Sequence, residues 1–190
     1  QAKYKEAIYY FNKGLEINAS YTRLLNNRGV AKMKMKQFSK AISDFNLALN
    51  INPKEEESIL NSAICYQNIE KLNQSKEEYQ KLLNINPDHS NGLAGMGYIE
   101  HLLGNTREGM RYIRRAKKAS GISWMAYYYE GNILQDIGRE KEAYLAYTRG
   151  INLNKYIAEL YANRAVSGIE LNIQQALLDL NSAIKLNPEE

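Results

Sequence analysis

The stretch NNRGVAKMKMKQFSKAISDFNLALNINP, residues 26–53, decides how this chain folds. Ala41, Phe45 and Ala48 stand at i, i+4 and i+7, which places them on one face of a helix. Leu25, Gly29 and Lys32 have the same spacing on an earlier segment. Lys36 and Gln37 interrupt the pattern between the two. Pro53 ends the second helix because it cannot donate the next backbone hydrogen bond. Two antiparallel helices approach closely only where neither carries a bulky side chain, and Gly29 and Ala41 meet that need. The ring of Phe45 then fills the space beyond the contact.

Outward from this stretch, the same arrangement recurs every 34 residues. Ala7, Ala41, Ser75, Gly109 and Ala143 form one column, and Phe11, Phe45, Tyr79, Ile113 and Tyr147 a second. Gly14, Ala48, Leu82, Ala116 and Gly150 form a third, and Gly29, Ala63, Gly97 and Gly131 a fourth. Pro53 and Pro87 close two units, and Gly121 stands at the next equivalent place. Several independent columns keeping one period mark a repeat architecture. Turns between paired helices are expected around Lys36–Gln37, Asn73, Gly104–Asn105 and Gly138. The step from Ala165 to Ala176 is 11, against 12 from Gly29 to Ala41, so the last unit lacks one residue near Asn172.

This pattern resembles the tetratricopeptide repeat, with its small residue on the first helix and Ala-x3-Phe and a terminal Pro on the second. The resemblance covers nearly the whole chain. It implies an all-α fold of antiparallel helix hairpins, about eleven helices stacked in a right-handed superhelix. In that frame residues 1–21 are the second helix of a truncated repeat. Residues 22–55, 56–89, 90–123, 124–157 and 158–190 are repeats, the last with the one-residue deletion, and all form one solenoid domain. The chain opens on YKEAIYYFNKGLEIN, which reads as the second helix of a unit whose first helix is absent, and Leu186-Asn187-Pro188 near its end is followed by no polar capping helix. It is therefore expected to be a piece of a longer array.

Composition narrows the function. The chain is 44% hydrophobic and 24% charged, which supports a packed core and argues against disorder. No apolar run approaches the ~20 residues of a membrane span, and the first residues lack a signal-peptide core. The single cysteine, Cys65, allows no intrachain disulfide and reads as a small buried hydrophobe. A soluble, cytoplasmic protein is expected. A net charge of +4 is small for a nucleic-acid module. His89 and His101 have no cysteine or carboxylate at metal-ligand spacing, and there is no phosphate loop, dinucleotide fingerprint or nucleophile elbow. The chain thus reads as a non-enzyme with no cofactor and no metal.

The repeat frame also selects a binding face. Counting each unit from Thr22, Glu56, Ser90, Trp124 and Ala158 at 100° per residue, the fourth, eighth and eleventh residues face the partner helix. The third, seventh, tenth and fourteenth face the neighbouring unit. The remaining face, which the tetratricopeptide resemblance makes a concave groove, includes Ala94 and Met125. Candidates there for contact with a partner, with their flanking asparagines, are Asn27, Val30, Leu60, Asn61, Ile64, Tyr98, His101, Tyr128, Asn132 and Asn163. Amides suit a peptide backbone, while Leu60, Ile64, Tyr98 and Tyr128 offer pockets for its side chains. Tyr127, as a fourth residue, belongs to the core in this frame. The Lys/Asn/Lys/Arg clamp with which some tetratricopeptide proteins grip chaperone tails would fall on Ala94, Tyr98, Tyr129, Glu159 and Asn163, which supply no cation. A carboxylate-clamp partner is not expected.

The densest basic stretch is Arg107, Arg111, Arg114, Arg115, Lys117 and Lys118, on a second helix away from the groove. It is either a solvated face or a patch for an acidic partner or phosphates. Three functions are open on these residues. The first is a scaffold or adaptor holding a protein or peptide segment within a multi-protein assembly. The second is an RNA-binding helical-repeat protein acting through residues 107–118. The third is a regulatory array attached to an enzyme.

Overall fold

The computed structural model describes residues 2–188; Gln1, Glu189 and Glu190, at the two ends of the repeat frame, lie outside them. The described residues form eleven helices and no strand: α1 (Ala2–Ile17), α2 (Thr22–Lys34), α3 (Phe38–Ile51), α4 (Glu56–Asn68), α5 (Leu72–Ile85), α6 (Ser90–Leu102), α7 (Thr106–Ala116), α8 (Trp124–Asp136), α9 (Glu140–Leu153), α10 (Ala158–Gly168) and α11 (Ile173–Leu186). The all-α fold of helix hairpins is thus the one the periodicity implies.

Hairpins form between α2 and α3, α4 and α5, α6 and α7, α8 and α9, and α10 and α11. The chain divides into two compact units, Gln1–Pro87 and Asp88–Glu190. Within the first, α1 packs on α2 and α3 on α4. Within the second, α9 packs on α10, but the α6–α7 hairpin meets the next one chiefly through α6 on α8.

Small residues let each hairpin close. A Cβ on Gly29 would stand 2.5 Å from Cε1 of Phe45, and one on Gly131 would collide with the Tyr147 ring. In the α6–α7 hairpin the aromatic is replaced by Ile113 and the small residue by Gly109. There the two backbones meet directly, since a Cβ on Gly97 would lie 2.8 Å from the Gly109 carbonyl oxygen and one on Gly109 2.5 Å from that of Gly97. The shorter Ile113 side chain suits this closer approach, its Cγ1 lying 3.1 Å from the Cβ position of Gly97.

The turns explain a second departure. Lys36, Glu70, Gly104 and Gly138 occupy one repeat position and all take the left-handed conformation, with φ of 58°, 59°, 89° and 75°. Asn73, expected in a turn, instead lies in the first turn of α5; the turn is made at Glu70, which has neither glycine nor asparagine to mark it. In the last unit Asn172, with φ −159°, takes the N-cap place that Gln37, Lys71, Asn105 and Arg139 hold in the other hairpins, and caps α11 by accepting the Gln175 N–H at 3.0 Å. The one-residue deletion therefore removes the left-handed residue from that connection.

Two buried ion pairs hold second helices to first ones. Arg28 grips Asp44 in a fork of 3.0 and 2.7 Å, with Lys32 Nζ 2.6 Å from the same carboxylate. Arg164 grips Asp179 at 2.7 and 2.6 Å, and Gln175 Nε2 donates to that carboxylate at 2.9 Å. A planar guanidinium matches a carboxylate in this two-bond geometry, and such pairing is what makes burial of Asp44 and Asp179 tolerable. Cys65 is fully buried, and burial pushes its thiol up to about 12.

Three tests follow from the packing. Gly131→Leu and Ala41→Leu should each lower unfolding free energy by roughly 1–3 kcal/mol in chemical denaturation, through overpacking of the helix contact. Glu70→Gly should raise it by roughly 0.5–1 kcal/mol, because glycine takes the left-handed conformation without a Cβ clash. Asp44→Ala should cost roughly 3–5 kcal/mol, since Arg28 and Lys32 would keep their charges and lose the carboxylate they share.

Candidate partner-binding face

In the first compact unit the sequence candidates divide between solvent and packing. Asn27 is exposed, Leu60, Asn61 and Ile64 are half-buried, and Val30 packs against the cluster of Ala41, Ile42, Phe45 and Cys65. Asn26 lies on the same face but is only 4% exposed. It accepts hydrogen bonds from the Ser58 hydroxyl and the Asn61 amide, both at 3.2 Å, and its own amide is 3.4 Å from Glu57 Oε2. The amide of Asn61 is therefore aimed by a contact between successive first helices, α2 and α4.

The second compact unit gathers its candidates into one aromatic and amide cluster. Tyr98, on α6, stacks on Tyr129 of α8 with ring centroids 4.9 Å apart and planes 15° apart. His101, one turn along, lies over Tyr98 at 6.2 Å. Its Nδ1 is 2.9 Å from Thr106 Oγ1 and its Nε2 3.2 Å from Asp136 Oδ2. A carboxylate only accepts, so Nε2 carries the hydrogen of that bond. Tyr128 packs edge-on to Trp124 at 6.1 Å and against Tyr147 at 6.5 Å.

An amide chain runs beside the rings. Asn163 of α10 donates to Asn132 Oδ1 of α8 at 3.0 Å, and the Tyr147 hydroxyl lies 2.9 Å from that oxygen and 3.0 Å from Gln135 Oε1. Burial raises the Tyr98 hydroxyl pKa, and the charge of Asp136 and the nearby Tyr128 raise it further, against a hydrogen bond with Asn132. Tyr98 therefore keeps its proton and remains a neutral hydrogen-bonding group at neutral pH.

Next to Tyr128 is a cavity of about 360 Å³. Its walls come from Ala158, Ala162, Leu180, Ala183 and Ile184, with Glu159, Asn163 and Asn187 supplying the polar groups. Leu180 and Ile184 are 41% and 61% exposed. Apolar walls with a few fixed polar groups can seat a side chain and orient the backbone that carries it.

Several positions differ from the helical-wheel assignment. Ala94 and Met125, on the groove face of the wheel, are 0% and 8% exposed. Their burial goes with the packing of α6 on α8, which the glycine- and alanine-rich α6 (Gly92, Ala94, Gly95, Gly97) allows. The tyrosine run also turns differently from the wheel. Tyr127 is half-buried beneath Lys117, whose Nζ is 5.6 Å from the ring centroid, while Tyr128 packs against the core cluster around Tyr147. Nothing in the sequence points to Thr106, and Tyr129 is marked there only as a clamp position. Asp136 and Gln135 lie on the wheel's groove face, but nothing local indicates that they meet His101 and Tyr147.

The basic stretch occupies the side of α7 opposite its buried residues Gly109, Ile113 and Ala116. Arg107, Arg111, Arg114, Arg115 and Lys118 are exposed, whereas Lys117 is half-buried and pairs with Glu130 of α8. None of the described helices is long and apolar enough to cross a membrane.

Comparison with known proteins agrees with this architecture. Residues 22–55 and 56–89 each match the tetratricopeptide repeat family. Among solved structures, a tetratricopeptide repeat protein from Parabacteroides merdae superposes on all of this chain and 75% of its own, with TM-score 0.83 and 20% identity. YrrB, described as a tetratricopeptide protein with an unusual peptide-binding site, covers 95% of this chain and 93% of its own, with TM-score 0.56 and 19% identity. A chain of the Cut9–Hcn1 hetero-tetramer of the APC/C covers 100% of this chain and 38% of its own, with TM-score 0.77 and 15% identity. No curated protein matches in sequence. With the 34-residue period, five helix hairpins among the described residues and two family matches in register, the chain is a tetratricopeptide repeat protein.

Proposed function

We propose that this chain is a scaffold or adaptor that holds a peptide or helical segment of a protein partner against its first-helix face, within a multi-protein assembly. Tetratricopeptide repeat proteins generally mediate protein–protein interactions, and a similar structure, YrrB, is described as having a peptide-binding site. The observation that carries the reading is the juxtaposition, in the second compact unit, of the 360 Å³ apolar cavity with the Tyr98, His101, Tyr128, Asn132 and Asn163 cluster. Aromatic groups and fixed amides beside a pocket are the usual anchors of a peptide interface. Asn27, Val30, Leu60, Asn61 and Ile64 form a second contact set in the first unit. The polar groups of the cluster pair with one another rather than converging on a vacant reaction centre, which favours binding over catalysis.

A displayed random-peptide library selected on the purified protein supplies the probe. Tyr98→Ala combined with Tyr128→Ala should weaken the selected peptide by at least ~2 kcal/mol, roughly thirtyfold, with helicity by circular dichroism unchanged. Arg139→Ala with Glu142→Ala, an exposed pair at the start of α9, should bind as the unaltered chain does. Equal loss from both double variants, or none from the tyrosine pair, would remove the cluster as the site.

A further inference from the structure

The charge of this protein is unevenly placed. The chain has 25 cations and 21 carboxylates. Residues 106–118 alone hold six of the cations and one of the carboxylates, leaving 19 and 20 elsewhere, a net charge of −1. One helix and its last turn therefore carry all of the net positive charge.

The arrangement on that helix is linear. Arg107, Arg111 and Arg114 stand at i, i+4 and i+7 on α7 and so fall within about 60° of arc. Lys118 follows four residues later, in a turn whose N–H bonds back to the Arg115 carbonyl at 2.9 Å. The stripe is about 16 Å long at 1.5 Å per residue. All four side chains are exposed, and only Glu108, paired with Arg111 at 2.7 Å, offsets them from within the helix. Lys117 is turned away to Glu130 and does not belong to the stripe. Same-sign charges lined up this way repel one another in the isolated protein, and exposed cations contribute little to folding. An opposite charge delivered by a partner would relieve that repulsion.

We propose that the outer face of α7 is a docking surface for an extended acidic segment of a partner protein, separate from the first-helix face. In an extended chain, alternate residues project to one side about 6.7 Å apart, close to the 6 Å step between Arg107 and Arg111. Guanidinium groups match carboxylates through two parallel bonds, which favours Arg over Lys in most of the stripe. A single-stranded nucleic acid fits less well. Such ligands stack their bases on aromatic faces, but the rings beside the stripe, Tyr112 and Tyr127, are half-buried and already carry Arg115 and Lys117 over their faces at 5.6 Å.

The test uses a labelled peptide of alternating Glu and Ser, about twelve residues long, and a poly-uridine strand of equal charge, followed by fluorescence anisotropy. The peptide should bind, and should weaken by more than about tenfold between about 50 and 300 mM salt. Arg111→Glu with Arg114→Glu should lose at least about tenfold in peptide affinity, while Arg111→Lys with Arg114→Lys, which keeps the charge but not the two-bond match, should lose clearly less than the Glu variant. Should the Glu variant melt early, Arg111→Ala with Arg114→Ala should give the loss without adding carboxylates. The Tyr98→Ala and Tyr128→Ala variant should bind this peptide normally, so the two surfaces fail separately. Peptide affinity unmoved by charge reversal, or absence of binding, would overturn the proposal and leave a solvated face. Tighter binding of poly-uridine than of the peptide would overturn it in favour of a nucleic-acid interface.

Discussion

The distance between the two helices of a hairpin governs the rest of this structure. Gly29 beside Phe45 and Gly131 beside Tyr147 bring a backbone against an aromatic ring, leaving no room for even a methyl group. Because the contact is so short, the aromatic is fully buried and each hairpin becomes a rigid slab rather than a pair of loosely leaning rods. Rigidity at this level is what allows residues far apart in sequence to be presented together. The α6–α7 hairpin carries the same rule further by using glycine on both sides and dispensing with the ring.

That choice propagates. A first helix rich in glycine and alanine is thin on every side, and α8 packs directly on α6. Ala94 and Met125 are consumed by the contact, and Tyr98 is left stacked on Tyr129 instead of standing alone. The same contact brings Asp136 to His101, a pairing across 35 residues of sequence. Within the second compact unit the aromatic cluster and the cavity beside Tyr128 are thus consequences of backbone proximity, reached through residues that carry no functional group.

Electrostatics divides into two kinds. Arg28 with Asp44 and Arg164 with Asp179 are desolvated, forked and held by further bonds, so they act inside the fold. The cations on the outside of α7 face water and are worth little to the fold. Carboxylates on the two helices packed against α7 are bonded within the fold, Glu100 of α6 to the Asn105 amide, and Glu130 and Asp136 of α8 to Lys117 and His101. The contrast separates charges that organise the helices from charges available to a partner.

The repeat was legible because helix geometry is local: a 34-residue period in small and aromatic residues specifies where each face lies, whatever the neighbours are. The all-α hairpin fold and the helix-pair contacts at Gly29 and Gly131 follow from it. Turn positions were legible where glycine marked them, at Gly104 and Gly138, and not at Glu70, whose left-handed backbone is imposed by the hairpin on a residue with no preference for it. A column of asparagines, Asn18, Asn52, Asn86 and Asn154, was present in the sequence and passed over; Asn18, Asn52 and Asn154 each accept the N–H two residues on as the chain leaves a second helix. What the tertiary structure alone decided is which side chains meet across helices: Tyr98 with Tyr129, Asn61 with Asn26, Asn163 with Asn132, and Tyr128 rather than Tyr127 against the core. A helical wheel assigns directions at fixed angle, but partners depend on how near the next axis comes. That distance is set by the summed bulk of every residue in the interface, a quantity no single position reveals.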